Sequence, residues 1–262
     1  MPRFAANLSL LYAHLPFLER IKAAKEDGFE AIECQFPYQE NSGAALNEIA
    51  KLMTQLELPM VLHNLRGGDL AKGDRGLACD PARVEEFRKG IPDAISHAQH
   101  LGVKQLNCLA GILPEGISRN QAQKTFVENL TYAAEELKKS NIKLLIEPIN
   151  TFDMPGFFLS SSQHALETIM AVQSNNLYLQ YDAYHAHRMG EDILGIEELM
   201  PFIEHIQIAD HPGRHEPGTG EINYPDFFML LDDLGYEGWV GCEYKPANTT
   251  EAGLGWRKQL TS

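Results

Sequence analysis

The sequence is poor in cysteine, and its cysteines lie far apart along the chain. The four are Cys34, Cys79, Cys108 and Cys242, and no Cys-x-x-Cys pair occurs. This spacing argues against a disulfide framework and against a thiolate zinc site, and it favours reduced thiols. A chain of 262 residues can bury enough surface to fold without such crosslinks. We therefore expect that a metal, if the protein binds one, takes part in its chemistry rather than in its folding.

Basic charge is also scarce. The chain has 22 Lys and Arg residues against 36 Asp and Glu residues, which gives a formal net charge of −14 at pH 7. Nucleic acids and anionic membrane surfaces are bound mainly through cationic groups, so we expect neither as a partner. An anionic substrate would need a local cationic pocket.

Long apolar runs are missing as well. The sequence contains no stretch with the length and composition of a membrane span, and its first residues do not resemble a signal peptide. We therefore expect a cytoplasmic protein.

Short apolar runs alternate with longer amphipathic stretches along the whole chain. Helical periodicity is clearest at 84–101, 121–137 and 163–172. Strands that alternate with helices pair in parallel through right-handed crossovers. Eight such units favour an α/β fold closed into a (β/α)8 TIM barrel over an open doubly wound sheet. No linker divides the chain, which predicts a single domain over residues 1–262. The predicted strands are 3–8, 29–34, 59–65, 103–109, 142–147, 177–182, 205–210 and 238–243.

Polar residues end each predicted strand, and the carboxyl ends of barrel strands share one mouth. For any one of these residues, capping a helix or binding a loop amide is a sufficient explanation. It is not sufficient for Glu147, Asp182 and Glu243 together, because buried carboxylates at one mouth repel each other unless a cation lies between them. Gln207 adds a further oxygen donor, and an all-oxygen set favours Mg²⁺ or Mn²⁺ over Zn²⁺. The strand-end residues are Asn7, Glu33, His63, Asn64, Asn107, Glu147, Asp182, Gln207 and Glu243.

Several long motifs occur in one order along the chain. The second half contains LLIEPIN (144–150), QYDAYH (180–185), HIQIAD (205–210), GTGEINY (218–224) and GWVGCEYKP (238–246). The first half contains RFAANLS (3–9) and LHNLRGGD (62–69). Together these motifs resemble those of hydroxypyruvate isomerases, which belong to the wider group of xylose-isomerase-like barrels. The resemblance covers nearly the full length. It departs at Arg66, where a proline is expected, and this puts the contacts of that loop in question.

The resemblance implies a role for particular residues. Glu147 and Glu243 would be the catalytic proton donor and acceptor pair and would also contact the metal. Asp182 and Gln207 would be the remaining metal ligands. Related sugar epimerases carry histidine at the position of Gln207, so the glutamine favours the hydroxypyruvate branch. His185 and Arg214 look like substrate-positioning residues.

The implied reaction interconverts hydroxypyruvate and tartronate semialdehyde through a cis-enediolate, so the expected partner is a small anionic hydroxy-keto acid. Its carboxylate needs a cation or several hydrogen-bond donors, and Arg214 is the leading candidate because guanidinium binds carboxylate in a bidentate manner. His63 and Asn64 are expected to help bind the substrate. Arg66 and Lys245, on loops at the mouth, are weaker candidates.

Four alternatives remain open at this point. The nearest is an isomerase of the four-carbon 2-oxo-tetronate that uses the same metal and glutamates. A sugar epimerase is disfavoured by Gln207, and a metal-dependent DNA phosphodiesterase by the lack of a basic face and of extra histidine ligands. A non-catalytic sugar-acid binding barrel would be expected to have lost Glu147 or Glu243. Barrels of this kind often pair, so a homo-oligomer is a further expectation, although the sequence identifies no interface.

Overall fold

The computed structural model describes residues 2–37 and 46–260. In this part of the chain there are eight strands and nine α-helices, in the alternating order that the sequence predicts. Strands β1 to β8 span Arg3–Asn7, Ala31–Glu33, Met60–Asn64, Gln105–Cys108, Lys143–Ile146, Leu177–Asp182, Ile203–Ile208 and Trp239–Cys242. Helices α1 to α9 span Phe17–Glu26, Leu46–Leu56, Val84–Leu101, Arg119–Lys139, Ser162–Val172, Ala183–Arg188, Tyr224–Asp233, Thr250–Gly253 and Trp256–Leu260.

The strands form a closed parallel barrel in sequence order. The barrel closes between the first and the last strand, where Ala5 of β1 pairs with Gly241 of β8. Helices α1 to α7 connect successive strands, and α8 and α9 follow β8. This confirms the predicted TIM barrel as one domain. None of the helices in the described residues is long and apolar enough to span a bilayer.

The helix boundaries follow from local sequence signals. Helix α4 begins with a capping box, in which the Ser118 hydroxyl accepts from the backbone N–H of Gln121 and the Gln121 side chain accepts from that of Ser118. Helix α3 covers the predicted range 84–101 and ends at Gly102, which adopts a left-handed φ of 73°. These signals place each helix so that its apolar face covers the barrel.

Strand β7 is the one whose position differs most from the prediction. The apolar pattern predicts 205–210, but the strand is Ile203–Ile208. Asp210 lies beyond its end, where the carboxylate accepts the backbone N–H groups of Gly218, Gly220 and Ile222. Asp210 therefore belongs to the loop that follows β7 and holds that loop in shape.

The core lies between the strands and the surrounding helices. Helix α4 contributes Phe126, Leu130 and Leu137, each of which is fully buried. Burying a side chain of this size stabilises the fold by roughly 1.5–3 kcal/mol. All four cysteines are buried free thiols, as their spacing predicts. The apolar core thus consists of residues other than the polar ones at the strand ends, which lie at the mouth of the barrel.

Candidate active site

A cavity of about 300 Å³ opens at the carboxyl-terminal mouth of the barrel. Its walls come from the strand ends and from the loops that follow β2, β3, β5 and β7. Asp182 lies beside the cavity, since its Oδ2 is 3.9 Å from Nη2 of Arg214. The predicted site residues that line the cavity are Asn64, Glu147, His185, Gln207, Arg214 and Glu243.

Three carboxylates meet at this cavity. One oxygen each of Glu147, Asp182 and Glu243 and one ring nitrogen of His185 lie within 4.8 Å of one another. Glu147 directly follows β5, Asp182 ends β6 and Glu243 directly follows β8. The barrel geometry therefore produces the convergence that the sequence predicts.

Burial and mutual repulsion raise the pKa values of these carboxyl groups. Burial, followed by the charges of Glu243 and Asp182, holds the pKa of Glu147 well above its usual range. Burial also raises the pKa of Glu243 to about 7, although Arg214 opposes the shift. The pKa of Asp182 is raised by burial as well. A cation that binds between the three groups would offset this repulsion and favour their ionised forms.

Asp182 provides a specific test of whether a metal fits. Its Oδ1 accepts the backbone N–H groups of Tyr184 and His185 and so caps α6. Its Oδ2 is buried and has no hydrogen-bond partner among the described residues. A buried carboxylate oxygen of this kind is unfavourable unless it is paired, protonated or bound to a metal. Since it lies next to two more carboxylates, the donor set fits a hard divalent cation such as Mg²⁺ or Mn²⁺.

Two hydrogen bonds orient the amide of Gln207. Its Nε2 donates to Oε1 of Glu33 (2.7 Å), and its Oε1 accepts from Nε2 of Gln180 (2.6 Å). The buried Glu33 also accepts from Asn7 and lies 2.6 Å from Nε2 of His205. Glu33 appears among the predicted strand-end residues without a role, and in the structure it holds Gln207. The carbonyl oxygen of Gln207 keeps a second lone pair that is available to a ligand.

Arg214 lies among the carboxylates. Its Nη2 donates to Oε2 of Glu243, and its Nε donates to the Glu243 carbonyl oxygen at 3.4 Å. The guanidinium group also lies 5.2 Å from the centre of the Tyr184 ring. Arg214 has a left-handed φ of 56°, in the loop that Asp210 holds. The loop therefore directs this side chain inward, and its charge is already matched by carboxylates.

The hydrogen bonds of Asn150 decide which nitrogen of His185 carries a proton. Oδ1 of Asn150 accepts the backbone N–H groups of Phe152 (3.1 Å) and Asp153 (2.8 Å). Its Nδ2 therefore faces Nδ1 of His185, at 2.6 Å. Burial, and secondly Arg214, holds the pKa of His185 well below its usual range, so the ring is neutral. Because Nδ1 accepts, the proton is on Nε2, 3.7 Å from Oδ2 of Asp182. A protonated nitrogen cannot bind a metal, so His185 is suited to donate a hydrogen bond to a substrate.

His63 is the one predicted site residue that the structure does not bring to the cavity. Alternate residues of a strand face opposite sides, and in β3 the cavity side is taken by Leu62 and Asn64. The buried His63 ring lies near His97 of α3, and burial lowers its pKa to about 4. Asn64 therefore lines the cavity, as its predicted role requires, whereas His63 faces away from it.

The two weaker candidates for a cationic contact also lie outside the cavity lining. Arg66 is half exposed and pairs with Asp93 at 3.3 Å, and Lys245 is exposed. Two residues that the sequence analysis missed do line the cavity, Gln35 and Arg75. Gln35 donates to Oε1 of Glu243 at 2.9 Å, and its position two residues after the strand-end Glu33 is a signal that could have found it. Arg75 lies in a glycine-rich loop, where nothing in the sequence distinguishes it from Arg66.

Known proteins resemble this chain over nearly its full length. The family model described as xylose isomerase-like TIM barrel matches residues 21–260. In sequence, the chain is similar to the hydroxypyruvate isomerase of Escherichia coli strain K12, with 49% identity over 98% of both chains. It is also similar to the 2-oxo-tetronate isomerase of Cupriavidus necator, with 42% identity over 98% of both chains. In structure, it resembles a Brucella melitensis protein described as AP endonuclease, family 2, with a TM-score of 0.94, 42% identity and coverage of 99% of both chains.

Proposed function

Because this chain belongs to the xylose isomerase-like TIM barrel family, among its hydroxypyruvate and 2-oxo-tetronate isomerases, we propose that it interconverts hydroxypyruvate and tartronate semialdehyde. One observation carries the proposal. The carboxyl groups of Glu147 and Glu243 meet in one small cavity, within 4.8 Å of each other and of Asp182. Paired carboxyl groups at that separation can exchange protons with adjacent carbons of a bound substrate.

The reaction moves one proton between carbons and one between oxygens. A glutamate removes a proton from C3 of hydroxypyruvate, and the electron pair forms the double bond of a cis-enediolate. A carboxyl group then delivers a proton to C2 while the proton of the C3 hydroxyl passes to the C2 oxygen. We assign Glu147 and Glu243 to these two steps jointly. Amide donors hold both groups in place, with Asn107 2.8 Å from Glu147 and Gln35 2.9 Å from Glu243.

A metal has a defined place in this proposal. Its ligands would be Glu147, Asp182, Gln207 and Glu243, and Mg²⁺ or Mn²⁺ fits their oxygens best. When bound, such an ion supplies Lewis-acid polarisation of the carbonyl group and offsets the charge of the enediolate. The proton on Nε2 of His185 is available to a substrate oxygen, and Asn64 lines the same cavity. These groups orient the substrate between the two glutamates.

Endonuclease activity, which the description of the Brucella melitensis structure names, has less support as a function of this chain. Binding to a phosphate backbone depends on cationic contacts, and this chain carries a formal net charge of −14. Three of the four groups that meet at the cavity are carboxylates. The charge and the site both favour a small substrate.

The direct test is proton NMR of hydroxypyruvate in D₂O with purified protein and Mg²⁺ or Mn²⁺. We expect loss of the C3 proton signal and appearance of tartronate semialdehyde, with neither change in a chelated sample. A parallel sample contains 2-oxo-tetronate. Conversion of 2-oxo-tetronate alone would support the proposed isomerisation and identify the four-carbon acid, instead of hydroxypyruvate, as the substrate. Exchange with neither acid, at full metal occupancy, would refute the proposal.

Substitution of the glutamates tests their assignment. We expect Glu147→Gln and Glu243→Gln each to lower turnover by roughly 10²–10⁴-fold, because each variant loses a group that must gain or release a proton. The matched control is Glu221→Gln, since Glu221 is an exposed glutamate on the same face that pairs with His211. Turnover close to that of the wild type in either cavity variant would contradict the two-glutamate assignment.

A further inference from the structure

The proposed substrate is an anion, and the cavity that would receive it is acidic. Glu147 and Glu243 line it, and Asp182 lies beside it. Among the described residues of the lining, the cationic side chains are Arg75 and Arg214. His185 also lines the cavity, with Nδ1 of its ring facing Nδ2 of Asn150 and Nε2 lying 3.7 Å from Oδ2 of Asp182. The two arginines are therefore the candidates for a charge-assisted contact with the carboxylate of an acid that binds there.

Arg214 is already engaged. It donates to the side chain and to the backbone carbonyl of Glu243, and it lies 3.9 Å from Asp182. An incoming carboxylate would have to compete with both of these groups for the same guanidinium donors.

Arg75 uses only one of its three guanidinium nitrogens in hydrogen bonds to the described residues. Its Nη1 donates to the backbone carbonyl oxygens of Asp74 (2.7 Å) and Leu70 (3.2 Å). Its Nε and Nη2 make no hydrogen bond to any residue in the described part of the chain. These two groups form one edge of the planar guanidinium, and the two N–H bonds of that edge match the two oxygens of a carboxylate.

The loop around Arg75 is built to hold it. On one side, the carboxylate of Asp74 accepts from Arg83 (2.6 Å) and from the backbone N–H of Asp69 (2.7 Å). On the other side, Gly76 has a φ of 112° and bridges to Ala110. A Cβ on Gly76 would lie 2.3 Å from the Leu109 carbonyl oxygen, so only glycine allows this close approach. Arg75 thus extends from a short segment that is fixed at both ends.

We propose that Arg75 binds the carboxylate of the substrate through its Nε and Nη2 edge. The inference rests on the proposed function and adds the substrate class to it. The site accepts acids whose carboxylate is next to the reacting carbons, and it discriminates against neutral sugars and ketones. Arg214 remains paired with Glu243, to which it donates.

Dihydroxyacetone provides the comparison that isolates this contact. It undergoes the same kind of isomerisation, but it has a hydroxymethyl group in place of the carboxylate of hydroxypyruvate. In Arg75→Met we expect kcat/KM for hydroxypyruvate to fall by roughly 100-fold, mostly through KM, because a charge-assisted bidentate contact is lost. Turnover of dihydroxyacetone should stay unchanged. Arg75→Lys should restore only part of the loss, since an ammonium group lacks the planar fork.

The matched control is Arg66→Met, in the same loop but outside the cavity. It should behave as the wild type with both substrates. Thermal unfolding of each variant shows whether the loop change has altered stability. Equal losses with hydroxypyruvate and dihydroxyacetone in Arg75→Met would mean that Arg75 only supports the loop. Unchanged kinetics in that variant would overturn the proposal.

A binding measurement separates this inference from the proposed reaction. Pyruvate and hydroxyacetone differ in the same way as the two substrates, and neither needs to react. Calorimetric titration should show that pyruvate binds the wild type more tightly than it binds Arg75→Met, and that hydroxyacetone does not distinguish them. This result would support the role of Arg75 even if hydroxypyruvate were not turned over. Indistinguishable pyruvate titrations of the two proteins, with or without binding, would contradict it.

Discussion

At the scale of single residues, the side-chain amide of Asn150 determines which ring nitrogen of His185 carries the proton. Its orientation is fixed by two backbone N–H groups, and its Nδ2 then donates to His185 and to Asp153 (3.0 Å). Tyr184 donates to the same oxygen of Asp153 at 2.7 Å, which holds the acceptor in place. Groups that orient a ligand or catalytic ring in this way commonly change activity by 10- to 100-fold when they are replaced.

Reversing this hydrogen bond should move the proton of the ring. Asn150→Asp places an acceptor opposite Nδ1 of His185, so we expect Nδ1 to become protonated and turnover to fall by roughly tenfold or more. Long-range ¹H–¹⁵N correlation spectra of protein labelled at histidine report the protonation of each ring nitrogen. Thr151→Ala is the control, because its hydroxyl faces Met189 and not His185. An unprotonated Nδ1 in Asn150→Asp would show that Asn150 does not set the tautomer.

At the scale of elements, β8 leaves room in the barrel interior for a side chain of β2. A Cβ on Gly241 would lie 2.3 Å from Oε2 and 2.5 Å from Oε1 of Glu33. The glycine therefore lets a buried carboxylate cross the barrel and reach Gln207 and His205. Two strands far apart in sequence share one polar network below the proposed metal site.

A single methyl group at Gly241 should disrupt that network. We expect Gly241→Ala to lower the free energy of unfolding by roughly 1–3 kcal/mol, since overpacking forces Glu33 out of its position. Gly195→Ala is the matched control, because its added Cβ would meet atoms no closer than 3.5 Å. Urea unfolding of both variants measures the difference. Equal free energies of unfolding for Gly241→Ala and Gly195→Ala would mean that Glu33 can change position without loss of stability.

The sequence predicts elements better than it predicts side-chain directions. The apolar runs and the period of the helices are local signals, and they locate α3 to the residue. Glu147, Asp182 and Glu243 are predictable because a carboxylate at the end of an apolar strand needs a partner. His63 is predicted to lie at the site together with Asn64, but only Asn64 lines the cavity. The sequence does not show which of two adjacent polar residues at a strand end faces inward. Arg75 is missed because its direction depends on the side-chain contacts of Asp74 with Arg83 and on the approach of Gly76 to Ala110, which lies far away along the chain.

At the scale of the whole molecule, acidic residues outnumber basic ones, and three carboxylates meet where the reaction is proposed to occur. The formal net charge is −14, and the three carboxylates at the mouth repel each other in addition. A divalent cation that binds there offsets this repulsion and stabilises the folded state in proportion to its occupancy.

Metal binding should therefore raise the melting temperature. At a Mn²⁺ concentration about 100 times Kd, the stabilisation is about 2.7 kcal/mol, or roughly 5–10 °C for a protein of this size. Asp182→Asn should melt higher than the wild type in the presence of chelator, because one repelling charge is gone, and should respond much less to Mn²⁺. It retains an oxygen that can cap α6. Asp93→Asn, an exposed carboxylate near Arg66, is the control. A full Mn²⁺ response in Asp182→Asn would exclude that residue as a ligand.

The segment that carries Arg75 leaves the barrel after β3 and returns at α3, and none of the proposed metal ligands belongs to it. If Arg75 binds the substrate carboxylate as proposed, that contact and the proposed proton transfer are encoded in separate stretches of the chain. Insertions and substitutions between β3 and α3 can alter which acids enter, while the strand ends that move protons stay the same. In an enzyme arranged in this way, changes in a single loop can alter substrate specificity while the proton-transfer residues are kept.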